Sequence, residues 1–140
     1  MAYMMWDDTK DIGHSIIDAD HRAMADAISA LGESIFLPAH KEKSGDRRER
    51  IEQSIHHLRT LAEQHFRSEE WIMETAGYPA MASHRGQHND LLAEFDAFAG
   101  EFHKSGNEST AHAIRFLREW FEYHVLIWDK PLVDWLARQP

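Results

Sequence analysis

"IEQSIHHLRTLAEQHFRSEEWI", residues 51–72, decides how this chain folds. Ile51, Ile55, Leu58, Ala62 and Phe66 recur at steps of three and four, the stripe of an amphipathic helix packed in a bundle. The same stripe also takes in His65 and Glu69 before it returns to Ile72. Ionisable groups thus stand where hydrophobes belong, and burying either one alone is costly.

Working outward, three more stretches carry the same period. One runs through Met24, Ile28, Leu31 and Ile35; a second through Leu91, Phe95, Phe98 and Phe102; a third through Ile114, Leu117, Phe121 and Trp128. Breaks fall between them: the polar run Pro38 to Asp46, "AGYPAMAS" at 76–83, and "KSGNES" at 104–109 with an expected cap at Ser109. Asp18 is the expected N-cap of the first helix. Helices are therefore expected at about 19–37, 47–75, 83–103 and 109–129, after an arm at 1–17 that contains Trp6. A short helix at about 131–138 follows, since Pro131 suits a first turn. Short connections make consecutive helices antiparallel neighbours, so the expected fold is all-α, one up-down-up-down four-helix bundle spanning the chain.

Composition narrows the function classes. A chain of 140 residues with 43% hydrophobic content suits one domain with a real core. A net charge of −9 argues against nucleic acid or an anionic membrane as partner. No apolar run approaches the ~18–20 residues that span a bilayer, and "MAYMMWDDTKDIGHS" lacks the layout of a signal peptide. With no cysteine there is no disulfide, iron–sulfur cluster or thiolate zinc site, which fits the cytoplasm. Any metal bound here takes imidazole and carboxylate ligands.

With 11 histidines, a pair such as "HRGQH" at 84–88 proves little alone, since roughly one His-x-x-x-His arises by chance. Placement is what counts. Extended by single steps, the four stripes reach His21, then His65 and Glu69, then His88 and His84, and finally His124. His21 opens helix one, His65 and Glu69 lie near the end of helix two, His84 and His88 open helix three, and His124 nearly closes helix four. In an antiparallel bundle those places are the same end, so the six side chains converge in one layer. Asp129 follows His124 by five residues, out of step with an ideal helix; only a distorted last turn or a π-bulge would swing it inward. Five imidazoles and two carboxylates exceed the needs of one first-row ion and suit two, with Fe, Mn or Zn all compatible. The remaining histidines (His14, His40, His56, His57, His103 and His112) read as ordinary surface or core residues.

On these residues the chain resembles the hemerythrins. "IDADH" with His21, "HFRSEEWIMETAGYP" with His65 and Glu69, "HRGQH" with His84 and His88, and "WFEYHVLIWD" with His124 and Asp129 match the family's helix motifs over nearly the whole chain. The resemblance implies a non-haem di-iron centre with an oxo or hydroxo bridge. His84, His88 and His124 would hold one iron, and His21 and His65 the other, which keeps a position open for O2. Glu69 and Asp129 would bridge the two. It also places Trp120 in the O2 pocket, with Phe121 and Val125 beside it; from the residues alone these three read equally well as core. Two positions depart from the family: Asp20 stands where Gln is usual, and Phe121 where an aliphatic residue is common.

The implied function is reversible O2 binding by a carrier, storage or delivery protein, not an enzyme, since nothing beyond a small gas site is readable. The chain stops just after the bundle, which favours that expectation. Alternatives are an O2 or redox sensor acting through an unidentified protein partner, and a di-iron enzyme handling peroxide or nitric oxide. Iron storage is weaker, because no shell-forming surface is readable.

Overall fold

The computed structural model describes residues 6–36, 44–105 and 110–140. Five α-helices follow a 3₁₀ turn at Asp8–Lys10: α1 (Ser15–Phe36), α2 (Ser44–Ala76), α3 (Met81–Ser105), α4 (Thr110–His124) and α5 (Lys130–Ala137). A π-helical turn, Val125–Asp129, joins α4 to α5. Helix α1 packs on α2 and α4, and α2 on α3. Helices α3 and α4 meet through Phe98 on Phe116, 5.5 Å between ring centres, and through Phe95 on Trp120, 5.7 Å. The result is the four-helix bundle with a terminal helix laid against one end. No helix among the described residues is long and apolar enough to cross a membrane.

Several element bounds differ from those read in the sequence. Helix α1 begins at Ser15 and takes in the end of the expected arm. Asp18 is not its cap. It lies in the first turn, and its carboxylate accepts the N–H groups of Ile12 (2.8 Å), Gly13 (3.1 Å) and His14 (3.1 Å), so it ties the arm to the helix. Helix α2 begins at Ser44, inside the stretch read as loop, and α3 begins at Met81. The expected cap at Ser109 and the residue His40 lie outside the described residues, as do the side chains of Ile114 and His103.

The link from α2 to α3 follows from Gly77. Its φ of +72° is a left-handed conformation that glycine adopts without Cβ strain. Tyr78 N–H donates to Met73 O (2.9 Å) and Gly77 N–H to Glu74 O (3.3 Å), the paired bonds of a Schellman close. Pro79 then prevents continuation.

The core has two parts. The larger includes Met24, Ile28, Leu31, Leu58, Phe66, Phe95 and Leu117. The smaller joins Ile17 and Met73 to Leu132 and Val133, so α5 seals the end of the bundle. Met73, not Ile72, is the fully buried residue at that point of α2. Trp128 is half-buried, because the π-helical turn advances the inward face by one residue, to Asp129.

Candidate metal centre

Between the two cores lies a layer of polar groups. His21, His65, Glu69, His84, His88, His124 and Asp129 are each 2% exposed or less. All seven come together, from α1, α2, α3, α4 and the π-helical turn. The turn explains Asp129. Lys130 N–H bonds back to Val125 O, five residues earlier, so the chain needs five residues for the turn and His124 and Asp129 share a face. Pro131 does not drive Lys130 out of the helical region; Lys130 keeps φ −60°, ψ −46° and opens α5. Proline does withhold an N–H from the preceding turn, which eases that turn's departure from α geometry.

The carboxylates lie between two groups of imidazoles. Glu69 Oε1 is 3.0 Å from His84 Nε2 and 3.1 Å from His88 Nε2, while Glu69 Oε2 is 2.8 Å from His65 Nε2. Asp129 Oδ1 is 3.0 Å from His84 Nε2 and 2.9 Å from His124 Nε2; Asp129 Oδ2 is 2.8 Å from His21 Nε2 and 3.7 Å from His65 Nε2. Each carboxylate thus turns one oxygen to a three-histidine group and the other to a two-histidine group. In each group the ligand atoms lie within 4.8 Å of one another, the span of a single ion's ligands.

Two tests show that this donor set fits cations. The first is geometric. His65 Nε2, His124 Nε2 and Glu69 Oε2 are buried, yet none makes an aligned hydrogen bond, although partners stand 2.8–2.9 Å away. Buried polar atoms are normally paired, and these are directed at a shared centre instead. The second is electrostatic. Burial and the adjacent Asp129 push Glu69 upward, but His65 and His84 outweigh them and hold its pKa at about 2. Burial likewise raises Asp129, and His124, His21 and His65 carry it well below the carboxylate range. Burial lowers His65, yet the Glu69 charge, the nearby Asp129 carboxylate and the bond to Asp20 raise it well above its ordinary value; His84, similarly placed, rises to about 9. His88 is lowered instead, chiefly by burial. The two carboxylates therefore draw positive charge into a dry layer, and divalent ions supply it more strongly than protons do.

Aromatic rings enclose the layer. Phe66 stacks flat on His88, 4.3 Å between centres and 9° between planes, and Trp128 lies 5.6 Å from His84. Phe121 meets His21 edge-on at 5.6 Å, and Trp6 from the arm packs on Phe121 at 4.9 Å. Trp120 donates its indole N–H to Leu91 O at 3.1 Å. Trp120 and Phe121 line an apolar crevice with Met24, Phe66 and Leu91, reaching His65, His124 and Asp129; it is too narrow for a water-sized sphere. Val125, expected beside them, is buried but lines a different groove, beneath the arm.

Sequence reasoning missed three groups that touch the cluster. Asp20 and Glu70 bond to His65 and His88 from outside. Neither lies on a hydrophobic stripe; each adjoins a stripe residue, His21 or Glu69, and Asp20 stands out besides as a departure from the family motif, but neither signal assigns a role. Trp6 sits in an arm without periodicity, so its contact with Phe121 had no signal.

A four-helix bundle with a buried, carboxylate-bridged histidine cluster defines a metal-binding bundle protein. Residues 13–136 match the model of the hemerythrin HHE cation binding domain, and the chain belongs to the hemerythrin family. It is 25% identical to a bacteriohemerythrin of Ralstonia nicotianae, over 99% of this chain and 93% of that one. It is 27% identical to a bacteriohemerythrin of Methylococcus capsulatus, over 93% and 94% respectively. Among solved structures it is similar to a leucine-to-tyrosine mutant of hemerythrin: TM-score 0.75, 25% identity, 93% of this chain and 94% of that chain. A structure titled as a leucine-to-phenylalanine mutant gives the same TM-score at 26% identity and the same coverage.

Proposed function

We propose that this chain binds O2 reversibly at a non-haem pair of irons and carries, stores or delivers it, rather than transforming a substrate. The observation that carries this reading is the two-sided placement of Glu69 and Asp129. The three-histidine group offers an ion three imidazoles and two carboxylate oxygens; the two-histidine group offers two imidazoles and two oxygens. The second position is thus one donor short and is where an outside ligand fits. The two irons together, one electron from each, would supply the electrons that O2 accepts on binding.

The chain's own residues suit binding without onward chemistry. Five of the seven donors are imidazoles, which are neutral when they hold a metal, so the set adds less negative charge than carboxylate-rich clusters and favours the lower oxidation state. The crevice walls, Trp120 and Phe121 among them, are apolar and exclude water. Among the described residues no proton donor lines the crevice apart from the cluster's own groups, which limits the protonation that would commit O2 to reduction. The similar proteins named bacteriohemerythrin support the same reading.

The test is anaerobic reconstitution with Fe(II) followed by cycles of O2 and vacuum. A visible charge-transfer band that appears with O2 and disappears under vacuum, over several cycles, is the expected result. Immediate irreversible oxidation would overturn the carrier reading and move the function toward redox sensing or catalysis.

A further inference from the structure

Two carboxylates outside the cluster bond to its histidines from behind. Asp20 Oδ2 lies 2.9 Å from His65 Nδ1, and Glu70 Oε2 lies 2.9 Å from His88 Nδ1. In both rings the bonded nitrogen faces away from the cluster, while Nε2 faces Glu69. A carboxylate accepting the Nδ1 proton fixes the tautomer, aims the Nε2 lone pair inward and makes the imidazole a more basic donor.

The two pairs differ. Glu70 has a side chain 10% exposed and is braced by Arg67 at 3.0 and 3.1 Å and by Arg85 at 3.5 Å. Asp20 has a side chain 37% exposed and stands on the wall of an open groove between α1 and α2 that reaches His65. Water competes for Asp20 and much less for Glu70. The pairs also fall on opposite sides: His65 belongs to the two-histidine group and His88 to the three-histidine group.

We infer that Asp20 and Glu70 are positioning residues that set the metal affinities of the two positions separately: Asp20 the two-histidine position, Glu70 the three-histidine position. The two-histidine ion, with fewer donors and a solvent-exposed brace, is the last loaded and the first lost. This inference rests on the two-ion reading above. The ligands are divalent first-row cations.

The experiment is titration of the metal-free chain with Co(II), followed by its visible ligand-field bands and by metal counting. Wild type should take two equivalents, the first tighter. Asp20→Ala should weaken the second equivalent by about 10–100-fold and leave the first unchanged in affinity and spectrum. Asp20→Asn, which keeps an acceptor oxygen in place, should recover part of that loss; Glu70→Gln should instead weaken the first. Rescue by Asn and loss confined to one equivalent are effects that a general packing defect would not produce. Asp20→Ala binding both equivalents as wild type does, or losing both together with unchanged circular dichroism, overturns this inference alone. A wild-type chain that takes fewer than two equivalents overturns the two-ion reading and this inference with it.

Discussion

Phe121 shows how much one side chain decides at this site. It is 2% exposed, packs against Trp6 and His21, and lines the crevice that reaches His65, His124 and Asp129. Leucine there would be smaller and more flexible. Phe121→Leu should speed the entry of azide into the oxidised iron protein and raise the autoxidation rate several-fold, at a stability cost of about 1 kcal/mol. Stopped-flow absorbance checks the first effect, and an unchanged rate would remove Phe121 from the control of access. His88 is the complementary case, because it faces Glu69 with one nitrogen and Glu70 with the other. His88→Ala should leave at least one iron per chain unbound, as read by metal analysis; full occupancy would mean that the ligand set is different. The residues on a stripe were legible because a histidine in a hydrophobic row has to be explained. Asp129 was not legible by spacing, since five residues point away from each other on an α-helix, and only the family motif recommended it. The reason lies in a backbone feature, the π-helical turn, which side-chain periodicity does not encode.

Among the elements, the close of α2 is the clearest local cause. Gly77 has φ +72° and nothing within 4 Å of where a Cβ would stand, so a substitution there meets backbone strain alone. Gly77→Ala should cost about 1–2 kcal/mol in urea unfolding, with an unchanged m-value. A cost near zero would show that the turn relaxes without the left-handed residue. This turn was readable as "AGYP", because glycine and proline mark chain reversal directly. The start of α1 was not. Asp18 looks like a cap, but a carboxylate can serve the N–H groups of a folded-back arm equally well, and only the path of residues 12–14 decides between the two. The end of the bundle was likewise only half legible: the sequence marks a helix after Pro131, but not that Leu132 and Val133 cover Ile17 and Met73.

For the molecule as a whole, the metal layer sits between two hydrophobic cores and ties together α1, α2, α3 and α4. Two carboxylates without solvent contact there require positive charge, and when metal leaves only imidazolium remains to supply it. Chelation should therefore lower the melting temperature, and metal at a hundred times its Kd should contribute about 2.7 kcal/mol per site. Calorimetry of the loaded and stripped chain checks this. Identical melting would mean that the cluster is structurally indifferent to metal. Because protons compete for the same imidazoles, and His84 holds its proton up to about pH 9 in the metal-free chain, metal affinity should fall as pH drops through about 9.

The central claim is that Glu69 and Asp129 share two ions in one layer. Iron counting on the anaerobically reconstituted, then oxidised chain, combined with electron paramagnetic resonance, tests it most directly. The account predicts two irons per chain and no mononuclear ferric signal, because ions bridged by both carboxylates couple magnetically. One iron per chain, or two irons that give uncoupled ferric signals, would contradict it.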